Sequence, residues 1–302
     1  MRYILNILFI LMVLIPKFAC AQKAKINDTI AELELTTIAR INQGNSYITL
    51  PTDIGNIEPL IFEGNIIPNF YIRKSKNSRF MGVLTSQIII RMYQETSLPV
   101  RTPSYMPQVT VYYLMSTKPR VNSLSSFGRY VHHSNGQDGN FYLDNGDINL
   151  ETGNFSTNYI ELGLIKTNYN KRFRAAQFLS TSFEVHPKKL TDSELIGLYS
   201  LYRWNTVFSI FRLSDKEVSL KRSYAKMSLK GKMTWMFGTM SYVDNYALDR
   251  LNLSLTFFYH PKFLEDIGLF VQLYHGLDYY NIYFNHGLNI IRFGIMTETL
   301  RF

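Results

Sequence analysis

Cysteine is all but missing from this chain: Cys20 is the only one in 302 residues. A lone cysteine excludes a disulfide-stapled secreted domain and any metal site built from paired thiolates. Tryptophan occurs only twice. Past the first twenty or so residues, no apolar run reaches the ~20 residues that a membrane-crossing helix needs. There is no glycine-rich phosphate loop, no Cys/His cluster, no low-complexity tract and no internal repeat of about 20–50 residues. Dinucleotide-binding folds, zinc modules and solenoids are therefore not indicated.

What the chain does have is aromatic and apolar residues in unusual dispersion. It carries 21 Tyr and 21 Phe, 15% aromatic and 46% apolar residues overall, at a mean hydropathy of −0.08 and a formal charge of +9. The basic excess fits contact with anionic lipid head groups, or simply a basic loop and lumen surface. The start of the chain reads as an export signal over residues 1–21. Arg2 is followed by an apolar run from Ile4 to Ile15, broken only at Asn6, and by the small-residue stretch Ala19-Cys20-Ala21. Cleavage is expected beside Ala21, with lipidation at Cys20 as the weaker alternative because Lys17 and Phe18 precede it. Within residues 22–79, residues 23–67 show no sustained period, and Pro51, Gly55, Pro59, Gly64 and Pro68 punctuate the stretch. They read as a periplasmic lead-in and approach to a first strand.

From about residue 80 to 302 the pattern has period two. Leu251, Leu253, Leu255, Phe257 and Tyr259 alternate with Asn252, Ser254 and Thr256; Ile160, Leu162 and Leu164 repeat the pattern, as do Leu269, Val271 and Leu273, and Ile291, Phe293 and Ile295. One apolar face and one small polar face suit a soluble sandwich or a transmembrane barrel. Export, aromatic content and the terminal Phe302 favour the barrel. The expected fold is all-β, an antiparallel transmembrane β-barrel of outer-membrane type. Twelve strands are predicted, at 81–93, 107–116, 125–134, 156–166, 171–186, 195–212, 217–229, 232–243, 248–260, 266–276, 279–285 and 288–300. Turn signals include Asn168 to Lys171, Lys230-Gly231-Lys232, Pro261-Lys262 and His286-Gly287, and the Gly/Asn/Asp-rich stretch 135–155 reads as a longer loop. Glu161, Arg203 and Arg292 fall on the inward face, as expected of a plugged rather than open lumen.

Chemistry concentrates in Tyr130-Val131-His132-His133-Ser134-Asn135-Gly136-Gln137. Residues two apart in a strand share a face, about 6.6–7 Å apart along it, so His132 and Ser134 project together. A serine hydroxyl needs such a base, and the imidazole needs a partner on its other nitrogen. Asn158 shares parity with Ile160 and Leu162 and can supply it if the two strands pair. Taken alone, His-x-Ser at a strand end is more often a solvated rim, and Asn158 a strand-start residue. His133, the other candidate base, points to the opposite face.

The segment His132-His133-Ser134-Asn135-Gly136 resembles the His-x-Ser-Asn-Gly motif of the outer-membrane phospholipase A family. Ser97, Arg101, Tyr105 and Pro107 resemble the family's Ser-x-x-x-Arg-x-x-x-Tyr-x-Pro block upstream, and Ser156-Thr157-Asn158-Tyr159 the segment holding its third triad member. Phe270 to Tyr274, and the chain from there to Phe302, are similar as well. The resemblance covers about residues 80–302 and implies a twelve-stranded barrel with an outward-facing triad. By position Ser134 is the nucleophile, His132 the base, Asn158 the residue orienting the imidazole, and Gly136 an oxyanion donor. The reaction implied is hydrolysis of acyl esters of outer-membrane glycerophospholipids (phospholipase A1/A2), dependent on Ca2+ and active as a homodimer. The metal ligands implied are Ser97 across the dimer, the Gln137 carbonyl and Asn154, with Asp192 a further acidic candidate. The sequence departs from the family in a longer stretch between Ser134 and Asn158 and in Thr157, where the family has an aromatic. Alternatives are a lipid A deacylase, whose smaller barrels carry a similar His-x-Ser-Asn element but an acidic third residue, and a non-catalytic channel or structural barrel.

Overall fold

In a strand, successive side chains leave opposite faces, so a run like Leu251–Tyr259 presents two different surfaces to two different surroundings. A computed structural model of the chain describes residues 33–50, 53–75, 77–116, 122–170, 172–213, 225–244, 248–261, 263–264 and 267–297. It is a closed antiparallel barrel of twelve wall positions. β1 (Tyr47–Thr49) and β2 (Ile54–Gly55) share the first position, and β3 (Leu60–Ile66) and β4 (Asn69–Ile72) share the second. The others are β5 (Phe80–Tyr93), β6 (Ser104–Leu114), β7 (Leu124–Ser134), β8 (Ser156–Asn170), β9 (Ala175–Val185), β10 (Tyr202–Leu213), β11 (Ala225–Phe237), β12 (Leu251–Tyr259), β13 (Ile267–Leu277) and β14 (Gly287–Thr297), each paired with the next. β1 closes the wall, with Tyr47 opposite Asn65 on one side and Met296 on the other. Among the described residues no helix is long and apolar enough to cross a membrane. The export signal over 1–21 and the terminal Phe302 lie outside the described residues.

The twelve positions are reached by a different route from the one the sequence suggests. Strands within residues 47–72, read as lead-in, form two wall positions; the prolines fall between short strand pieces, which hides the period. Lys230-Gly231-Lys232 is no turn. It lies inside β11, with Gly231 opposite Phe208 and Leu255. Residues 279–285 are not a strand either: Asn281–Tyr283 form a single 3₁₀ turn. Its Asn281 Nδ2 donates to Ser104 Oγ at 2.8 Å, and Tyr280 Oη donates to the Arg101 carbonyl at 2.9 Å. Side-chain bonds to another loop thus take the place of a strand ladder.

The outer wall is apolar. Leu162 is 64% exposed, and Val109, Ile160, Leu179, Trp204, Phe257 and Leu273 share that surface. The inner wall is polar and charged, and Glu161, Arg203 and Arg292 point inward as expected: Arg129 pairs with Glu161 at 3.0 Å, Arg203 with Glu184 at 3.2 Å, and Arg292 with Glu63 at 2.6 Å. Glu63 also pairs with Arg91 at 2.8 Å, which in turn meets Asp278 at 2.6 Å. This fully buried chain of charges bridges β3, β5 and β14 across the closing seam. Burial of that kind is tolerated because every charge has an opposite partner.

Apolar packing closes the lumen at both ends. At the short-turn end, α1 (Leu35–Gln43) places Leu35, Ile38, Ala39 and Ile41 against Met81, Val83, Tyr112, Phe127 and Phe178. Gly44, at φ +95°, stops the helix and returns its N–H to the Arg40 carbonyl. At the opposite end, loops 135–155, 186–201 and 278–286 contribute Phe141, Phe155, Tyr199, Ile282 and Phe284 to an aromatic cap.

Candidate active site

The period of β7 sends Phe127, Arg129, Val131 and His133 into the lumen and Gly128, Tyr130, His132 and Ser134 outward. β8 does the same, with Glu161 inside and Asn158, Ile160 and Leu162 outside. The two strands pair in a register that places His132 opposite Asn158 and Ser134 opposite Ser156. The three residues singled out in the sequence thus lie half-buried on one patch of the outer face beside the capped end.

Asn158 is held on both sides. Its Nδ2 donates to the Leu190 carbonyl at 2.8 Å, while its Oδ1 lies 3.0 Å from His132 Nδ1 and accepts from Tyr130 Oη at 2.9 Å. An amide has one acceptor end and one donor end. With the donor end committed to a carbonyl, the acceptor end faces the imidazole. The hydrogen-bond network therefore assigns the His132 proton to Nδ1 and leaves Nε2 as the basic nitrogen. Among the described residues no hydrogen bond joins His132 to Ser134; the two share a face of β7, and such contacts often tighten only around substrate.

Leu190 is itself fixed. It ends a 3₁₀ turn, Lys188–Leu190, whose following residue Thr191 bridges Thr157. Thr157 Oγ1 lies 2.9 Å from both Thr191 Oγ1 and His186 Nδ1, and His186 Nε2 meets Glu184 Oε1 at 2.8 Å. Burial lowers the His186 pKa, which keeps the ring neutral. Thr157, where the family resemblance expects an aromatic, is in this chain the anchor of the turn that holds Asn158.

Beyond Ser134 the loop is clasped by Asn135. Its Oδ1 accepts from the N–H groups of Gln137 at 3.2 Å and Phe155 at 3.0 Å, and its own N–H donates to the Phe155 carbonyl. Gly136 lies between, at φ +66°, and among the described residues its N–H has no protein acceptor. A Cβ there would stand 3.1 Å from the Tyr105 ring. An unspent, exposed N–H two residues past the serine is the kind of donor an oxyanion requires. His133, the alternative base, is excluded by geometry: it is buried, facing inward, 3.2 Å from Ser104 Oγ and edge-on to Phe155.

The expected metal ligands are only partly gathered. Gln137 and Asn154 belong to one clasped loop, Asn154 bonding back to the Gly139 carbonyl. Ser97 stands in a separate exposed turn at φ +67° and, among the described residues, bonds to neither. No group of three His, Cys, Asp or Glu side chains able to hold a metal occurs among the described residues. Asp192 is the telling neighbour. Its N–H donates to the Ser156 carbonyl at 3.0 Å, its Oδ2 is buried without a hydrogen-bond partner, and burial raises its pKa. An orphan carboxylate oxygen is a hard donor of the kind calcium takes, while among the described residues no hydrogen bond links Asp192 to Gln137 or Asn154.

Tyr130 and the Leu190 carbonyl join this cluster without having been singled out in the sequence, and Asn135, quoted there only within the motif, is its clasp. Tyr130 carried a signal, since it shares parity with His132; a carbonyl from a loop about thirty residues away in sequence carried none.

No protein-family model matches the sequence, and no characterised protein matches it by sequence. Solved structures do match. An active-site mutant of outer membrane phospholipase A from Escherichia coli superposes with a TM-score of 0.57 at 12% identity, over 91% of this chain and 94% of that one. The fold is that of outer membrane phospholipase A. A further E. coli structure of that enzyme gives 0.57 at 13% identity over the same shares. The Salmonella typhi enzyme, a dimer with bound calcium, gives 0.57 at 11% identity, over 90% of this chain and 94% of that one.

Proposed function

We propose that this chain is a phospholipase A of the outer membrane, hydrolysing acyl ester bonds of glycerophospholipids with Ser134, His132 and Asn158. The observation that carries the reading is the doubly tethered Asn158 presenting its carbonyl to His132 beside an outward-facing serine. Polar groups arranged this way at the edge of an apolar wall face lipid esters rather than water-borne substrate. In outline, Ser134 Oγ attacks the ester carbonyl carbon while His132 Nε2 takes its proton. The Gly136 N–H stabilises the resulting oxyanion. The intermediate collapses, the C–O bond breaks, and His132 returns the proton to the departing lysophospholipid alkoxide. Water then attacks the acyl-Ser134 ester with His132 again as base, releasing fatty acid and restoring the hydroxyl. Asn158 stays neutral throughout and fixes the imidazole.

The oxygens of Gln137, Asn154 and Asp192, with Ser97 from a second copy, would hold a calcium ion. When bound, it supplies positive charge near the developing oxyanion. Dimeric action is proposed by analogy with the Salmonella enzyme, a dimer with bound calcium. The loop-bearing end, where the triad lies, then faces outward from the cell. Phospholipid hydrolysis by protein refolded in detergent micelles with calcium tests the reading. Release of fatty acid that disappears in Ser134→Ala supports it, whereas a folded, calcium-loaded wild type that releases none returns the chain to the non-catalytic barrels.

A further inference from the structure

The Lys230-Gly231-Lys232 motif, which reads as a turn and is not one, has no part in the outer-wall chemistry. On β11 the outward positions are Leu229, Gly231 and Met233, so both lysines project into the lumen, about 6.6–7 Å apart along the strand. There they line a cavity of about 430 Å³ between the helix plug and the aromatic cap. Among the described residues neither lysine lies within salt-bridge distance of a carboxylate. The carboxylates of this half of the lumen are taken: Glu161 by Arg129 and Ser182, and Glu184 by Arg203, His186 and Asn205.

Their neighbours across the sheet are hydroxyls. Lys230 is in register with Thr256, and Lys232 with Ser254. Gln272 Nε2 donates to both hydroxyl oxygens, at 3.1 Å to Thr256 and 3.2 Å to Ser254. With both oxygens serving as acceptors, their own O–H groups remain to donate into the cavity. Two ammonium groups and two hydroxyl donors therefore converge on one space. Two lysines with no carboxylate at salt-bridge distance are costly at the level of a bilayer unless a counter-ion joins them, and charges inside membrane barrels mark ligand or ion sites.

We infer that the lumen holds a small free oxyanion, of the phosphate or sulfate class, bound by Lys230, Lys232, Ser254 and Thr256. The wall separates this cavity from the lipid, so a head group still attached to its acyl chains cannot reach it. The inference stands apart from the proposed hydrolysis, and its test does not use that activity.

The test is ³¹P line-broadening of inorganic phosphate titrated against the full chain refolded in phosphate-free detergent micelles, at ionic strength fixed with sodium chloride. Wild type is expected to bind saturably. Lys230→Gln/Lys232→Gln is expected to bind at least about tenfold more weakly per lysine, the loss of a charge-assisted hydrogen bond. Ser254→Ala/Thr256→Val keeps both charges and serves if the lysine variant fails to fold; it is expected to weaken binding several-fold. No saturable broadening in folded wild type overturns the inference. So does an affinity unchanged in whichever variant folds, because binding then occurs elsewhere on the barrel.

Discussion

Replacing Asn158 with alanine removes three hydrogen bonds at once: those it accepts from His132 Nδ1 and Tyr130 Oη, and the one it donates to the Leu190 carbonyl. The first sets the imidazole tautomer. Without it Nε2 carries the proton for part of the time and the ring is free to turn. Positioned general-base catalysis contributes roughly 10²- to 10⁴-fold, and most of that is at stake. Tyr130→Phe removes only the second bond. A neutral hydrogen bond is worth about 0.5–1.5 kcal/mol, or roughly 2- to 13-fold in rate at about 1.36 kcal/mol per decade. Asn158→Asp keeps an acceptor for His132 and Tyr130 but sets a carboxylate oxygen against the Leu190 carbonyl. It is therefore expected to fall between the two in rate and to lose thermal stability. The assay is fatty-acid release from phospholipid–detergent micelles, run at saturating substrate to isolate kcat. Tyr130→Phe as damaging as Asn158→Ala, or Asn158→Ala within a few-fold of wild type, refutes the assignment of Asn158 as the residue that orients His132.

Three other expectations follow from the same structure. Gly136→Ala forces a non-glycine residue to φ +66° against the Tyr105 ring. It is expected to lower kcat while shifting the unfolding midpoint little, since strain of about 1–3 kcal/mol is confined to the loop; an unchanged rate argues against Gly136 as the oxyanion donor. Arg292→Met leaves Glu63 short of one partner in the buried seam, at a cost of about 3–5 kcal/mol. Heat-modifiability on gels should show a clearly lower unfolding temperature. Gly163→Ala brings a Cβ to 2.5 Å from the Phe127 ring and 2.7 Å from Ser182 Cβ. Overpacking of about 1–3 kcal/mol should lower thermal stability with the triad still functional.

The fold was legible where one face of a strand had to be apolar along its length. Leu251–Tyr259 and Ile160–Leu164 face outward as their alternation requires, and the parity that joined His132, Ser134 and Asn158 holds in the register of β7 and β8. What escaped is short or interrupted. β1 to β4 are pieces of two to seven residues divided by Pro51, Pro59 and Pro68, too brief for a period to show. Lys230-Gly231-Lys232 imitates a turn because its lysines face a polar lumen that sequence cannot distinguish from solvent. Helix α1 did carry a trace, in Leu35, Ile38 and Ala39 at helical spacing, but over only nine residues. The Leu190 carbonyl has no sequence signature, since any residue supplies one; its role arises from the Thr157–Thr191 bridge.

The most direct test of the account is release of fatty acid from phospholipid by the refolded protein, with calcium or with chelator, beside Ser134→Ala. The account predicts release that requires calcium and vanishes when Ser134 loses its hydroxyl. Undiminished release by Ser134→Ala would contradict the nucleophile assignment, and no release by folded, calcium-loaded wild type would contradict the proposed function as a whole.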